Sequence, residues 1–84
     1  MIELGKLYTL AKDPYISSYA MNDTYDLKFK KTTEWIKAEK FDFPFMVVGC
    51  HGKDDNHWIK VVIDDKSGWI HVHEEQLRIY KPYR

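Results

Sequence analysis

Four histidines and a single cysteine are the residues whose types could support metal binding or nucleophilic catalysis. His71 and His73 stand two apart in a β-like run, so both side chains would project from one face and could ligate one ion. No C-x-x-C or H-x-x-x-H spacing accompanies them, whereas zinc sites usually have four well-spaced ligands. Metal binding through this pair is therefore the weakest function that the sequence offers, and no cofactor is expected.

Cys50 could act as a nucleophile with His51 or His57 as its base. It lies, however, in an apolar run, and neighbouring residues of a strand point to opposite faces. The acidic residues stand in adjacent pairs within turn-like segments, whereas general acid–base catalysis needs carboxyl groups that face each other across a cleft. We expect a buried structural cysteine and a protein that is not an enzyme.

Residues 58–73 contain two runs of alternating apolar side chains, which together predict a β-hairpin. Ile59, Val61 and Ile63 share one face of the first run, and Ile70 and Val72 share one face of the second. The break between the runs, residues 64–68, has the Asp, Ser and Gly content of a turn. Trp58 and Trp69 then fall on the opposite, outer face of the hairpin.

The apolar pattern also suggests a register, because a slip of one residue would turn the buried set outward. We place Ile63 opposite Ile70 and Val61 opposite Val72. On the outer face this register sets three pairs side by side: Asp64 with Trp69, Val62 with His71, and Lys60 with His73.

The rest of the chain predicts further short elements. Residues 7–11 and 78–80 read as the first and last strands, and residues 74–77 as one helical turn whose Leu77 covers the core. Residues 45–50 are apolar nearly throughout, as in a strand covered on both faces. Residues 12–31 read as a long irregular loop. For residues 32–40 we favour a short helix or turn over a strand, although both patterns fit.

These elements resemble the second half of a Src-homology-3-like (SH3-like) barrel. In that family a Trp opens the third strand, a G-[WY]-[IV] motif opens the fourth, and a 3₁₀ turn precedes the fifth; Trp58, Gly68-Trp69-Ile70 and residues 74–80 occupy those places. The match covers less than half of the chain. It implies a mainly β fold: one domain over residues 1–84, a small five-stranded barrel with a long first loop and a short helical insertion.

The resemblance also implies a binding surface. In the family, the Trp that opens the third strand lines a peptide groove with tyrosines from the first strand and the long loop, and a polyproline II ligand stacks between such rings. The corresponding residues here are Trp58, Tyr8, Tyr15 and Tyr19, and we add Trp69 and His71 from the outer face. The family's proline and tyrosine after the G-W-I motif are replaced here by residues 71–75. An equally open interpretation is that the tryptophans only shield a small core.

Composition limits the class of protein. The chain has 84 residues, 13 basic and 13 acidic, so it lacks the basic excess typical of phosphate-backbone binding. A single cysteine excludes an internal disulfide, and the N-terminus lacks the pattern of a signal peptide. We expect a cytoplasmic protein. A free-standing small barrel of this composition resembles early proteins of bacteriophages, so a non-enzymatic module that binds and modulates a host protein, for example as an inhibitor, is the expected function.

Nucleic-acid binding is the chief alternative, because small barrels also present aromatic and basic side chains to single strands. The lysines of residues 28–40 cluster around two aromatic residues, Trp35 and Phe41; they are Lys28, Lys30, Lys31, Lys37 and Lys40. Interleaved acidic residues (Glu34, Glu39 and Asp42) would weaken this alternative, and a common face with Trp58 would strengthen it.

Overall fold

A computed structural model describes residues 2–24, 33–53 and 56–82. Seven strands form one antiparallel sheet in the order β3-β2-β6-β5-β4-β1-β7. They are β1 (Leu7–Leu10), β2 (Ser18–Asn22), β3 (Thr33–Lys37), β4 (Phe45–Lys53), β5 (Asn56–Ile63), β6 (Lys66–His73) and β7 (Leu77–Ile79), with 3₁₀ turns at Ala38–Asp42 and Glu74–Gln76. The mainly β prediction is confirmed. The described strands leave β3 and β7 as separate edges, so a closed five-stranded barrel is not confirmed.

The two additional strands lie in the segments that the sequence left irregular or helical. β2 falls inside the predicted loop of residues 12–31 and buries two alternate side chains, Tyr19 and Met21. β3 pairs with β2 along its whole length, and the 3₁₀ turn follows β3 directly. The short helix favoured for residues 32–40 was therefore wrong for residues 33–37. Two buried apolar residues make too short an alternation to identify a strand from sequence.

The core lies on the inner face of this sheet. Ile59, Val61, Ile70 and Val72 are almost fully buried, as the alternating pattern predicted, and Leu77 covers them as expected. The remaining buried apolar residues are Tyr8, Leu10, Tyr19, Met21, Phe41, Phe45, Val47 and Ile63. None of the helical turns in the described ranges has the length or apolarity needed to span a bilayer.

The predicted register of the β5–β6 hairpin was wrong by four residues. Ile70 lies opposite Ile59, and Ile63 lies opposite Lys66. A shift by an even number leaves every side chain on its predicted face, so the hydrophobic pattern could not detect it. The turn decides the register: Asp64 and Asp65 form a two-residue loop with φ of 48° and 63°, as a type I′ turn requires.

Replacement of Asp65 by glycine should raise the free energy of unfolding by up to about 1 kcal/mol. Glycine adopts a positive φ without the steric cost that a side chain pays, and its greater freedom in the unfolded chain offsets part of the gain. Urea unfolding would show the rise. Asp23→Gly is the control, because Asp23 is exposed and has no positive φ. If Asp65→Gly instead lowered the free energy of unfolding as much as Asp23→Gly does, the explanation that the side chain of Asp65 strains the turn would be wrong.

Candidate functional site

Strand β4 buries only one of its faces, which corrects the prediction that both are covered. Phe45 and Val47 are buried, whereas Met46 is 41% exposed and Val48 is 40% exposed. The sheet packs its inner face on the core, and no second layer of described elements lies over the outer face of β4. The apolar run therefore marks an interior strand of the sheet with one face exposed.

A row of exposed apolar side chains crosses this outer face. Leu7 of β1 lies opposite Met46, and Met46 lies opposite Val62 of β5. The amide of Tyr80 donates to the carbonyl of Leu7 at 2.9 Å, which extends the row by one more residue. Each of the four side chains is close to two-fifths exposed. Directly opposed residues in a sheet touch each other, so the row forms one continuous apolar strip.

Trp69 covers the middle of the same face because Gly49 makes room for it. Register pairs place Gly49, Lys60 and Trp69 in one row across β4, β5 and β6. A Cβ on Gly49 would lie 3.0 Å from Cη2 of Trp69 and 3.1 Å from Cβ of Lys60. A side chain at Gly49 would therefore displace the indole, which reaches over β5 as far as β4. Val48, beside Gly49, is the extra residue of a β-bulge.

Two aromatic pairs complete the surface. Trp58 lies opposite His71, with ring centroids 5.1 Å apart, and Trp69 lies 5.5 Å from the ring of His51. We call this apolar and aromatic patch the outer sheet face; Thr9 and Arg78 lie on the same side of the sheet at its border and are not counted in it. It consists of Leu7, Met46, Val48, Gly49, His51, Trp58, Lys60, Val62, Trp69, His71 and Tyr80.

The structure brings together three of the six predicted binding residues. Trp58, Trp69 and His71 all lie on the outer sheet face. Tyr8 and Tyr19 lie in the core, 3% and 8% exposed, and Tyr8 accepts a hydrogen bond from the amide of Glu3. Tyr15 is 94% exposed but belongs to the loop between β1 and β2. Tyr8 and Tyr19 therefore do not line the groove that was predicted beside Trp58.

The two histidines of the metal hypothesis have different surroundings. His71 contacts the ring of Trp58, whereas Nδ1 of His73 accepts from the amide of Glu75 and so caps the second 3₁₀ turn. In the part of the chain that the structure describes, no group of three or more His, Cys, Asp or Glu side chains has metal-binding geometry. Among the described residues, no further side chain joins His71 and His73 as a metal ligand.

Cys50 and His57, considered as nucleophile and base, do lie next to each other. Sγ of Cys50 is 3.8 Å from Nδ1 of His57, and Nε2 of His57 is 3.5 Å from a carboxylate oxygen of Glu74. The tautomer that suits both contacts carries its proton on Nε2, which donates to Glu74, and leaves Nδ1 to accept from the thiol. The sequence missed Glu74 because it is 17 residues from His57.

The electrostatics of this group do not favour a reactive thiolate. Burial raises the pKa of the Cys50 thiol, and the negative charge of Glu74 raises it further. A raised pKa leaves less of the reactive thiolate at neutral pH. Cys50 itself is partly exposed, whereas the sequence predicted a buried cysteine.

The reactivity of Cys50 toward iodoacetamide should therefore increase at a higher pH in the folded protein than in the urea-unfolded chain. The unfolded chain is an internal control, because Cys50 is its only cysteine and should titrate near about 8.5. By the same linkage, unfolding should become easier as the pH rises above about 8.5, where only the unfolded chain releases the proton. A folded-state midpoint below that of the unfolded chain would instead identify a nucleophile activated by His57.

In the described part of the lysine segment, Trp35 and Lys37 share the side of the sheet that carries Trp69, whereas other charged side chains of the segment pair with opposite charges. Phe41 is fully buried, and Lys40 pairs with Asp64 at 3.1 Å. Glu34 of β3 pairs with Lys66, and Lys37 is exposed. Lys28, Lys30 and Lys31 lie outside the described residues.

Comparisons of the chain with protein-family models, with curated proteins and with solved structures found no match.

Proposed function

We propose that this chain is a non-enzymatic interaction module that binds another protein through the outer sheet face. The composition of that face carries the proposal. Charged residues make up 31% of the chain, whereas the outer sheet face contains one, Lys60, with Arg78 at its border. Depletion of charge with enrichment of aromatic residues and methionine distinguishes the centre of protein interfaces from ordinary surface.

Exposure supports the same proposal. Leu7, Met46, Val62 and Tyr80 each leave close to two-fifths of their surface in water, side by side in one row. Contiguous apolar surface of this kind is unfavourable in an isolated protein and marks interaction sites. Trp58 and Trp69 supply the large, rigid contacts that usually dominate binding energy.

For the fold, we propose more specifically an SH3-like barrel. It is supported by five of the strands, β1, β4, β5, β6 and β7, which occupy the places that the sequence resemblance assigned to them, with the 3₁₀ turn before the last. The partner surface differs from the family's tyrosine-lined groove, since Tyr8 and Tyr19 are buried here. The proposed partner is accordingly an apolar protein surface. The bacteriophage and host-protein setting remains a proposal from size and composition.

Affinity capture from bacterial lysate with two matched variants tests this function. Met46→Glu places a charge in the centre of the apolar row, and Phe43→Glu makes the same kind of change at a residue that is 69% exposed and outside the outer sheet face. The wild type and Phe43→Glu should capture the same protein, and Met46→Glu should lose it. A parallel sample treated with nuclease should retain the captured protein.

Two results would overturn the proposal. Equal capture by Met46→Glu and the wild type would exclude the outer sheet face as the interface. Loss of the captured material after nuclease treatment would favour the nucleic-acid alternative and the segment of residues 28–40.

A further inference from the structure

A cavity of about 520 Å³ lies between the β1–β2 loop and the 3₁₀ turn Ala38–Asp42. We call it the loop cavity. Its volume falls within the range of small-molecule sites. Leu10, Pro14, Ile16 and Ala38 supply apolar walls, and the cavity shares no residue with the outer sheet face. Any ligand of this cavity would therefore bind independently of the proposed protein partner.

The hydroxyl group of a largely buried tyrosine borders the loop cavity. Tyr19 lines the cavity and is only 8% exposed, with its ring packed against Phe41 at 5.0 Å. Among the described residues its hydroxyl has no hydrogen-bond partner, and no fully enclosed side-chain oxygen lacks one. The hydroxyl must therefore reach solvent, and the loop cavity is the opening that it borders.

Acidic side chains line the same cavity, and Asp13 is the one whose charge acts on the Tyr19 hydroxyl. Asp13, Glu39 and Asp42 line the cavity, and Lys12 is the one basic residue in its wall. Asp13 accepts a hydrogen bond from the amide of Tyr15 at 2.9 Å, and none of the three carboxylates forms an ion pair with a described residue. Burial raises the pKa of Tyr19, and the charge of Asp13 raises it further, so the phenol stays protonated at neutral pH.

We infer that the loop cavity binds an organic cation, an ammonium group carried on a short aliphatic stem. An ammonium group has three donors and no acceptor. Carboxylates offer acceptors only, and the phenol oxygen of Tyr19 can accept as well. The stem would lie along Ile16 and Ala38 while the charged end meets Asp13 and Asp42. The cation could belong to a free amine or to a lysine side chain, and the chemistry of recognition is the same for both.

The test is a titration of the ¹⁵N-labelled protein with three probes. Binding is monitored through the chemical shifts of the backbone amides of Ile16, Tyr19 and Ala38. The probes are 1,5-diaminopentane, N-acetyl-lysine methylamide and the neutral 1-pentanol. Saturable shifts with either amine and none with 1-pentanol are expected. Binding of the diamine alone would identify a free amine as the ligand class, and binding of the lysine derivative alone would identify a lysine side chain.

Variants of the lining residues test whether the amine binds in the loop cavity. Asp13→Asn combined with Asp42→Asn should weaken amine binding by about tenfold or more, since each hydrogen bond to a charged group contributes at least one such factor. Tyr19→Phe keeps the ring in the core and should weaken binding several-fold. Asp65→Asn, an exposed carboxylate outside the cavity, should change nothing. The inference is overturned if neither amine gives saturable shifts, if 1-pentanol binds equally well, or if the cavity variants bind like the wild type.

Discussion

Phe41→Ala is expected to lower the free energy of unfolding by about 3–5 kcal/mol. Phe41 is fully buried in the 3₁₀ turn Ala38–Asp42 and makes edge contacts with the rings of Tyr19 and Phe45, at 5.0 and 5.5 Å. Removal of the ring loses the free energy of its burial. The cavity that remains adds a further cost, because the surrounding side chains lose their packing contacts. Small domains have only about 5–15 kcal/mol in total, so the variant should be close to unfolding.

Phe43→Ala is the matched control, two residues along the chain. Phe43 is 69% exposed, so its truncation should change stability by no more than about 0.5 kcal/mol. Urea unfolding of both variants, followed by circular dichroism, gives the comparison. Similar losses in the two variants would show that the 3₁₀ turn does not insert Phe41 into the core.

Trp58→Ala should weaken binding of the captured protein by about 2 kcal/mol, roughly 30-fold in Kd. Trp58 lies between its register partners His51 and His71 on the outer sheet face, and its ring contacts that of His71 at 5.1 Å. An aromatic residue in that position has the size and rigidity of a binding anchor. Isothermal titration calorimetry with the purified partner measures the loss.

Trp35→Ala provides the control for that prediction. Trp35 is 68% exposed on the edge strand β3, which β2 and β6 separate from the strand of Trp58. Its removal should leave the affinity within about twofold, which corresponds to a change under 0.5 kcal/mol. A large loss with Trp35→Ala and none with Trp58→Ala would move the interface to β3 and the lysine segment.

The sequence could predict which faces are buried but not which residues are opposed. Ile59, Val61 and Ile70 alternate, and a period of two determines the face whatever the register. The register depended on Asp64 and Asp65 adopting positive φ, which aspartate does less often than glycine or asparagine. Gly68 suggested a turn, but it lies in β6, where a Cβ would come within 2.4 Å of Met21. The close approach of the neighbouring strand β2 explains that glycine.

The sequence also predicted only part of the candidate site. The outward direction of Trp58 and Trp69 followed from alternation, whereas Tyr8 and Tyr19 were assigned to the surface although both bury their rings. The apolar row could not be identified, because an apolar strand covered on two faces and one exposed on one face have the same sequence pattern. Leu7, Met46 and Val62 come from three separate strands, and only tertiary pairing brings them side by side.

The most direct test of the central claim is chemical-shift mapping of the ¹⁵N-labelled chain during titration with the captured protein. The account predicts that the perturbed amides cluster on β4, β5, β6 and Tyr80, around Met46 and Trp58, while those of the loop cavity stay unchanged. Perturbations confined to β3 or to the loop between β1 and β2, with the outer sheet face unaffected, would contradict it.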